Sequence, residues 1–410
     1  MALNYIWAAF ILVAFAVALA KYLFLGDGLI FGQLVESVFK NSENGFTISL
    51  YMTGVLTFWM GILKVGEKGG AVGLLAKAVE PLLAKIFPEL PKGHPAYGHI
   101  VMNVAANMLN LDNAATPMGL KAMKELQESN PDKETATNAQ IMFLVLNTSG
   151  LTIIPVSIMT LRAAQGAANP TDIFLPILLA TFFSTLVGLL AVAAYQRINL
   201  LDRVVLAYLG LGTAFVGGIF LYFSRLAPDE LASASSTLGN FLILAIIAGF
   251  VLMALLRRVP VYEAFIEGAK DGFKTAVGII PYLLAILVAV GLFRESGAMG
   301  WLVEAFRWTF AALGLDTSFV EALPTAFMKP LSGSGARGMV AELMAATGPD
   351  SFASKVACTI QGSTDTTFYI LAVYFGSVGV RKTRHALPAG LLADLAGIVA
   401  AIIISYFFFF

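Results

Sequence analysis

Hydrophobic positions in this chain fall into long unbroken runs. Windows of about 20 predominantly apolar residues, the length that crosses a bilayer as a helix, occur at 5–25, 46–65, 137–162, 171–196, 204–223, 236–257, 276–294, 353–376 and 386–408. They predict an all-α polytopic membrane protein of about nine transmembrane helices. Between them, 28–43 and 262–274 carry too many charges to span, and 68–87 and 298–313 are amphipathic, with Lys77, Glu80 and Lys85 in one and Glu304 and Arg307 in the other. Such helices lie in the membrane interface.

Two further stretches are interrupted apolar helices. Residues 96–128 break at Asn110-Leu111-Asp112-Asn113, and residues 318–346 break at Pro330-Leu331-Ser332-Gly333-Ser334-Gly335. Each half is too short to cross alone, so each pair reads as a re-entrant hairpin that enters and leaves on one side.

These features recur in order and expose an internal repeat. Glu43-Asn44-Gly45-Phe46 matches Lys270-Asp271-Gly272-Phe273. Each is followed by a span, an amphipathic helix, a broken hairpin, a span with a polar centre and a last span. The expected organisation is a first helix (1–27), a first repeat (28–196), two linking helices (197–259) and a second repeat (260–410). Ala18-Leu19-Ala20 resembles a cleavage site, but the segment lacks a basic leader, so an uncleaved helix is expected.

Composition agrees with a membrane protein: 58% of residues are hydrophobic, 13% are charged and mean hydropathy is +0.81, where a soluble domain is about a quarter charged. Net charge is zero, which gives no reason to expect a nucleic-acid partner. The lone Cys358 forbids an intrachain disulfide, and His94, His99 and His385 lack metal-ligand spacing. No Ser-His-Asp set or carboxylate pair on a shared helix face occurs, so an enzyme is not expected.

Charge gives orientation through the excess of Lys and Arg on cytoplasmic loops. With a cytoplasmic N-terminus and two re-entrant hairpins, Lys64, Lys68, Lys77, Lys85, Lys92, Lys121, Lys124, Lys133, Arg197, Arg203, Arg257, Arg258, Arg381, Lys382 and Arg384 fall inside. Lys21, Arg162, Arg225 and Arg294 fall outside. The repeats are then inverted, as in many secondary transporters.

Polar residues at membrane depth are costly and are site candidates by default. Asn103, Asn107 and Asn110 stand at i, i+4 and i+7 on one helical face, and Asp112 and Asn113 follow at the break. Amides offer donors and acceptors without a charge's desolvation cost. Two readings stand side by side: a solute pocket, or helix–helix hydrogen bonding with Asp112 or Asn113 as a cap and Pro117 in the early turns. In the second hairpin, the glycine-rich Ser332-Gly333-Ser334-Gly335 run opens a half-helix, where bare N–H groups favour anions. Arg337 can clamp an anionic solute or neutralise Asp365 or Asp112. The polar span centres are Asn147-Thr148-Ser149-Gly150 and Gln361-Gly362-Ser363-Thr364-Asp365-Thr366-Thr367. Their hydroxyls can bond their own helix backbone, so the paired placement is the stronger signal. Asp365 is a candidate proton or cation carrier. Asp394 and Asp172 sit near span ends, where solvation would explain them.

These motifs resemble a known group. Asn107-Met108-Leu109-Asn110-Leu111-Asp112-Asn113-Ala114-Ala115-Thr116-Pro117-Met118-Gly119, within about 30–195, resembles spore maturation protein A. Lys329-Pro330-Leu331-Ser332-Gly333-Ser334-Gly335-Ala336-Arg337-Gly338, Gln361 to Tyr369 and Val373 to Gly379, within about 260–408, resemble spore maturation protein B. The two look fused here. Both belong to the nucleoside-recognition or Gate-domain group, which includes concentrative nucleoside transporters and the membrane part of ferrous iron transporter B. The resemblance implies a bacterial inner-membrane, transport-type fold. The iron transporters' membrane cysteine has no counterpart at the broken helices, because Cys358 precedes the Gln361 cluster.

The expectation is a secondary transporter of a small polar or anionic solute, alternating access around a midplane site. The site residues would be Asn103, Asn107, Asn110, Asp112, Asn113, Asn147, Thr148, Ser149, Ser332, Ser334, Arg337, Gln361, Ser363, Thr364 and Asp365. No cofactor is implied beyond a coupling proton or sodium ion at Asp365 or Asp112. Its partners would be the solute and the lipid bilayer, and the long apolar surface suggests a homodimer. The alternative is a non-transporting scaffold or regulator of envelope or spore maturation, with a dry, fully paired polar core.

Overall fold

A computed structural model describes residues 2–91, 93–226 and 228–410, without the side chains of 2, 3, 112, 113, 228, 229 and 232. Lys92 lies outside the described residues. Every described element is helical, apart from an isolated bridge between Thr135 and Lys382. The first part runs α1 (Ala2–Leu25), α2 (Ile30–Lys68), α3 (Ala71–Ile86), α4 (Pro95–Met108), α5 (Asp112–Glu128), α6 (Asn138–Ser149), α7 (Val156–Ala164) and α8 (Phe174–Gln196). Two long helices follow, α9 (Arg203–Phe223) and α10 (Pro228–Leu256). The second part runs α11 (Val261–Glu295), α12 (Ala298–Ala312), a 3-10 turn (Val320–Ala322) leading into α13 (Leu323–Met328), α14 (Gly333–Thr347), α15 (Phe352–Ser363), α16 (Thr367–Val378) and α17 (Ala386–Phe409). From α11 onward the order of long helix, short amphipathic helix, broken hairpin, broken helix and long helix repeats the order from α2 to α8.

Among the described residues, seven helices are long and apolar enough to cross a membrane: α1, α2, α8, α9, α10, α11 and α17. Two expected spans are corrected. Segments 137–162 and 353–376 are each split into half-helices, α6 with α7 and α15 with α16. The polar centres do the splitting. At Gly150 to Pro155, and at Thr364 to Thr366, the backbone leaves the helix and bonds other segments. The charged segments 28–43 and 262–274 are also not separate. They extend α2 and α11 to 39 and 35 residues, about 50–60 Å at 1.5 Å per residue, well beyond an apolar core of about 30 Å.

The helices α2 and α11 form the most extensive helix pair. Lys64 lies 3.5 Å from Glu267, and Lys68 pairs with the same carboxylate. Gly268 and Gly272 stand one turn apart where the backbones approach. A methyl group at Gly268 would come within 2.4 Å of the Met60 carbonyl oxygen, and one at Gly272 within 2.8 Å of that of Leu56. Gly45 packs reciprocally against Leu284 and Leu287 of α11. These contacts advance along one helix as they retreat along the other, so the pair is antiparallel. The pair α8 and α17 is antiparallel as well: the Ser184 hydroxyl donates to Ala393 O at 2.9 Å, and the Gln196 amide meets the His385 ring at 3.1 Å.

The loops close in matching pairs. Arg381 and Lys382 N–H groups donate to Glu134 O at 2.9 and 2.8 Å, joining the α16–α17 and α5–α6 loops. Arg162, which is fully buried, bonds Asp172 and Asp350 at 3.0 Å each, joining the α7–α8 and α14–α15 loops; Lys355 also holds Asp172 at 3.0 Å. Asp172 is therefore the centre of an ion-pair network. A buried arginine demands such partners, because an unpaired buried charge is expensive.

Candidate functional site: four helix breaks around one polar cavity

The four predicted breaks meet. A cavity of about 140 Å³ lies between them. The first hairpin contributes Asn107 and Asn110; the first broken helix contributes Asn147, Gly150 and Thr152. The second hairpin contributes Lys329 and Arg337; the second broken helix contributes Gln361, Thr364 and Asp365.

Each break has freed backbone groups that need partners at membrane depth, and the breaks satisfy one another. The Asp365 N–H donates to Thr148 O at 2.7 Å, tying the second broken helix to the first. Phe368 N–H donates to Pro330 O at 3.1 Å, and the Gln361 amide donates to Gly333 O at 3.2 Å, tying it to the second hairpin. Ile153 N–H donates to Met108 O at 2.8 Å, and the Asn107 amide donates to Asn147 Oδ1 at 2.7 Å, tying the first hairpin to the first broken helix. The loops are thus ordered without regular helix, and their side chains are free to face the cavity.

The asparagine row divides. Asn110 lies beyond the end of α4 with φ of +58°, a left-handed conformation that asparagine tolerates, and it reaches the cavity. Asn103 does not. It is fully buried behind Asn107 and donates to Ala115 O at 2.8 Å, which is helix–helix hydrogen bonding within the hairpin. The expected Asp112 or Asn113 cap is corrected: Leu111 occupies the cap position of α5 and Pro117 sits deeper in that helix. The Asp112 and Asn113 side chains lie outside the described residues.

Ser332 caps α14, accepting from Gly335 N–H at 3.0 Å, and Ser334 lies 3.3 Å from it. Ser332 supports the half-helix, and neither serine lines the cavity. Ser363 bonds back to Ile360 O at 2.8 Å. Thr148 and Ser149 are buried beside the cavity and outside its lining.

Sequence reading missed two charged residues. Lys329 is only 4% exposed and lines the cavity, and the charges facing it are Asp365, Asp394 and Arg337. A lone lysine beside a break was the available signal. Asp394 is corrected from a solvated residue to a buried one, 1% exposed, accepting from the Thr367 hydroxyl at 2.6 Å. Among the described lining side chains the charged ones are Lys329, Arg337 and Asp365, and Asp394 also faces Lys329.

The nucleoside-recognition (Gate) family profile matches residues 49–165 and 276–381, so its two segments contain the four breaks. Spore maturation protein B of Bacillus subtilis (strain 168) is 49% identical over 159 residues, covering 39% of this chain and 88% of that protein. Spore maturation protein A of the same organism is 40% identical over 149 residues, covering 36% of this chain and 76% of that protein. A helical chain with seven candidate membrane helices, and with the Gate motifs around one cavity, thus matches both spore maturation proteins at once. The chain belongs to the nucleoside-recognition (Gate) family as a multi-pass membrane protein that unites regions similar to spore maturation proteins A and B.

Proposed function

We propose that the protein is a secondary transporter of a small solute bearing an anionic group, carried through the cavity between the four breaks. The observation that carries this reading is the meeting of all four breaks around a space lined by Lys329 and Arg337, with Asn107, Asn110 and Gln361 as uncharged hydrogen-bonding groups. Half-helix ends around a midplane cavity are the recurrent architecture of such transporters. A volume of about 140 Å³ is well below the roughly 300–1,000 Å³ of sites that enclose drug-sized ligands. It suits a carboxylate- or phosphate-sized group. Asp365 is the proposed coupling group for a proton or sodium ion.

Repeat inversion supports alternating access. The equivalent helices α2 and α11 run antiparallel, as do α8 and α17. The two loop closures are equivalent under exchange of the repeats. Rocking one repeat against the other would then open the cavity to each side in turn. Lysines and arginines near the Glu134–Lys382 closure support a cytoplasmic location for that face, and the relatives' organism supports the bacterial inner membrane. Their printed names support a place for this transport in spore or envelope maturation.

Flux of labelled small anions into proteoliposomes tests the reading. Loss of a charge-assisted contact costs about 1.5–3 kcal/mol, so Arg337→Gln should lower kcat/KM about 10- to 100-fold. Asp365→Asn should abolish dependence on the coupling gradient. If both variants leave every detected flux unchanged, the assignment is wrong.

A further inference from the structure

A second cavity, of about 560 Å³, adjoins the polar one and is almost wholly apolar. It lies between α3, α8 and α9, with Leu82, Leu146, Leu186 and Phe215 among its walls. The two cavities share two wall residues, Asn107 and Gly150. Gly150 leaves the shared wall thin: a methyl group there would touch only the neighbouring Asn147 carbonyl oxygen, at 3.3 Å. Its walls include Leu211 and Phe215 of α9, which are 73% and 58% exposed on a candidate membrane-crossing helix, so the cavity is open toward the lipid side.

An apolar space of this size against a membrane-crossing helix matches a hydrocarbon chain from the bilayer, whose dispersion contacts its walls can make. A chain lying there would bring its head to the Asn107–Gly150 wall, next to Lys329 and Arg337. The polar cavity is lined by two cationic side chains, Lys329 and Arg337, and has room for a phosphate-sized group.

The geometry points to a single-chain lipid with a phosphate monoester head as the substrate class, its head in the polar cavity and its chain in the apolar one. This rests on the transport reading above and narrows it: the anionic group is the head of an amphiphile that enters sideways from the bilayer. Lys329 and Arg337 hold the phosphate, Asn110 donates to a remaining oxygen, and the apolar cavity selects the chain.

The test is photo-crosslinking of the full chain in phosphatidylcholine nanodiscs, with a hexadecyl phosphate carrying a diazirine on the chain. Label is expected in the α8 and α9 peptides. Unlabelled hexadecyl phosphate should compete and hexadecanol should not. Arg337→Gln should reduce labelling about tenfold, as loss of a charge-assisted contact does. Leu186→Trp, which fills the apolar cavity without touching the polar one, should remove the label. Leu151→Trp is the second plug should the first unfold, with thermal unfolding as the control.

Equal competition by hexadecanol, or labelling unaffected by either folded plug, overturns the lipid proposal. Arg337-dependent flux of butyl phosphate that persists in Leu186→Trp, with no specific hexadecyl phosphate labelling, overturns it too and leaves the soluble-anion reading standing. If neither hexadecyl nor butyl phosphate engages the wild-type protein, both readings fall for phosphate monoesters.

Discussion

Two arginines show how the same residue type takes different tasks. Arg162 is fully buried, bonds two carboxylates at 3.0 Å and also donates to Pro349 O at 2.6 Å. It is a structural clamp between the repeats. Arg337 lines the polar cavity. Removing one partner from a buried ion pair costs about 3–5 kcal/mol, so Arg162→Ala should sharply lower the unfolding midpoint in detergent. Arg337→Gln should lower that midpoint less than Arg162→Ala does while impairing flux. The reverse pattern would interchange their roles. At this scale, sequence revealed Asn107, Asn110, Asn147, Gln361 and Asp365 because each is polar inside an apolar run. Lys329 was hidden by its position just outside the glycine-rich run it serves. Asp394 was hidden because α17 is apolar on all sides, and only packing against Thr367 shows which face is internal.

Among the helices, the breaks were legible and the long pair was not. A glycine or proline beside polar residues interrupts an apolar run visibly, so the hairpin tips fell where expected. The N-terminal halves of α2 and α11 looked too charged to join a span. The Glu267 charge in α11 is met across the pair by Lys64 and Lys68 at the C-terminal end of α2, which no single-segment hydropathy can register. The close approach at Gly268 and Gly272 makes a specific prediction. Overpacking typically costs about 1–3 kcal/mol, and backbone oxygens cannot move aside as a side chain can. Gly272→Leu should lower the thermal midpoint, whereas Gly278→Ala, where an added methyl meets nothing within 4 Å, should not. Equal effects would remove the close helix pair from the account. Gly70 and Gly297 repeat a further detail: each turns a long helix into an amphipathic one, with φ of +87° and +89°.

For the whole molecule, repetition was readable as a recurring order of features, and the packing of the copies was not. Inversion makes a topological prediction. The Glu134–Lys382 and Arg162–Asp350 closures should lie on opposite membrane faces. Because Cys358 is buried, single cysteines can be introduced with little background. Pro131→Cys should react with an impermeant thiol reagent from the cytoplasmic side and Ala168→Cys from the other. Labelling of both from one side would rule out inversion.

The central claim is that the four breaks enclose one cavity that opens alternately to each side. Ser157, at the start of α7, lines that cavity, and cysteine nearly matches serine in size. In a Cys358→Ala background, the measurement is the rate at which Ser157→Cys reacts with an impermeant anionic thiol reagent, applied separately to each face of oriented proteoliposomes. The account predicts reaction from both faces, slowed by a transported anion and slowed in Arg337→Gln, which removes a cation that attracts the reagent. Reaction from one face only, or from neither, would contradict it.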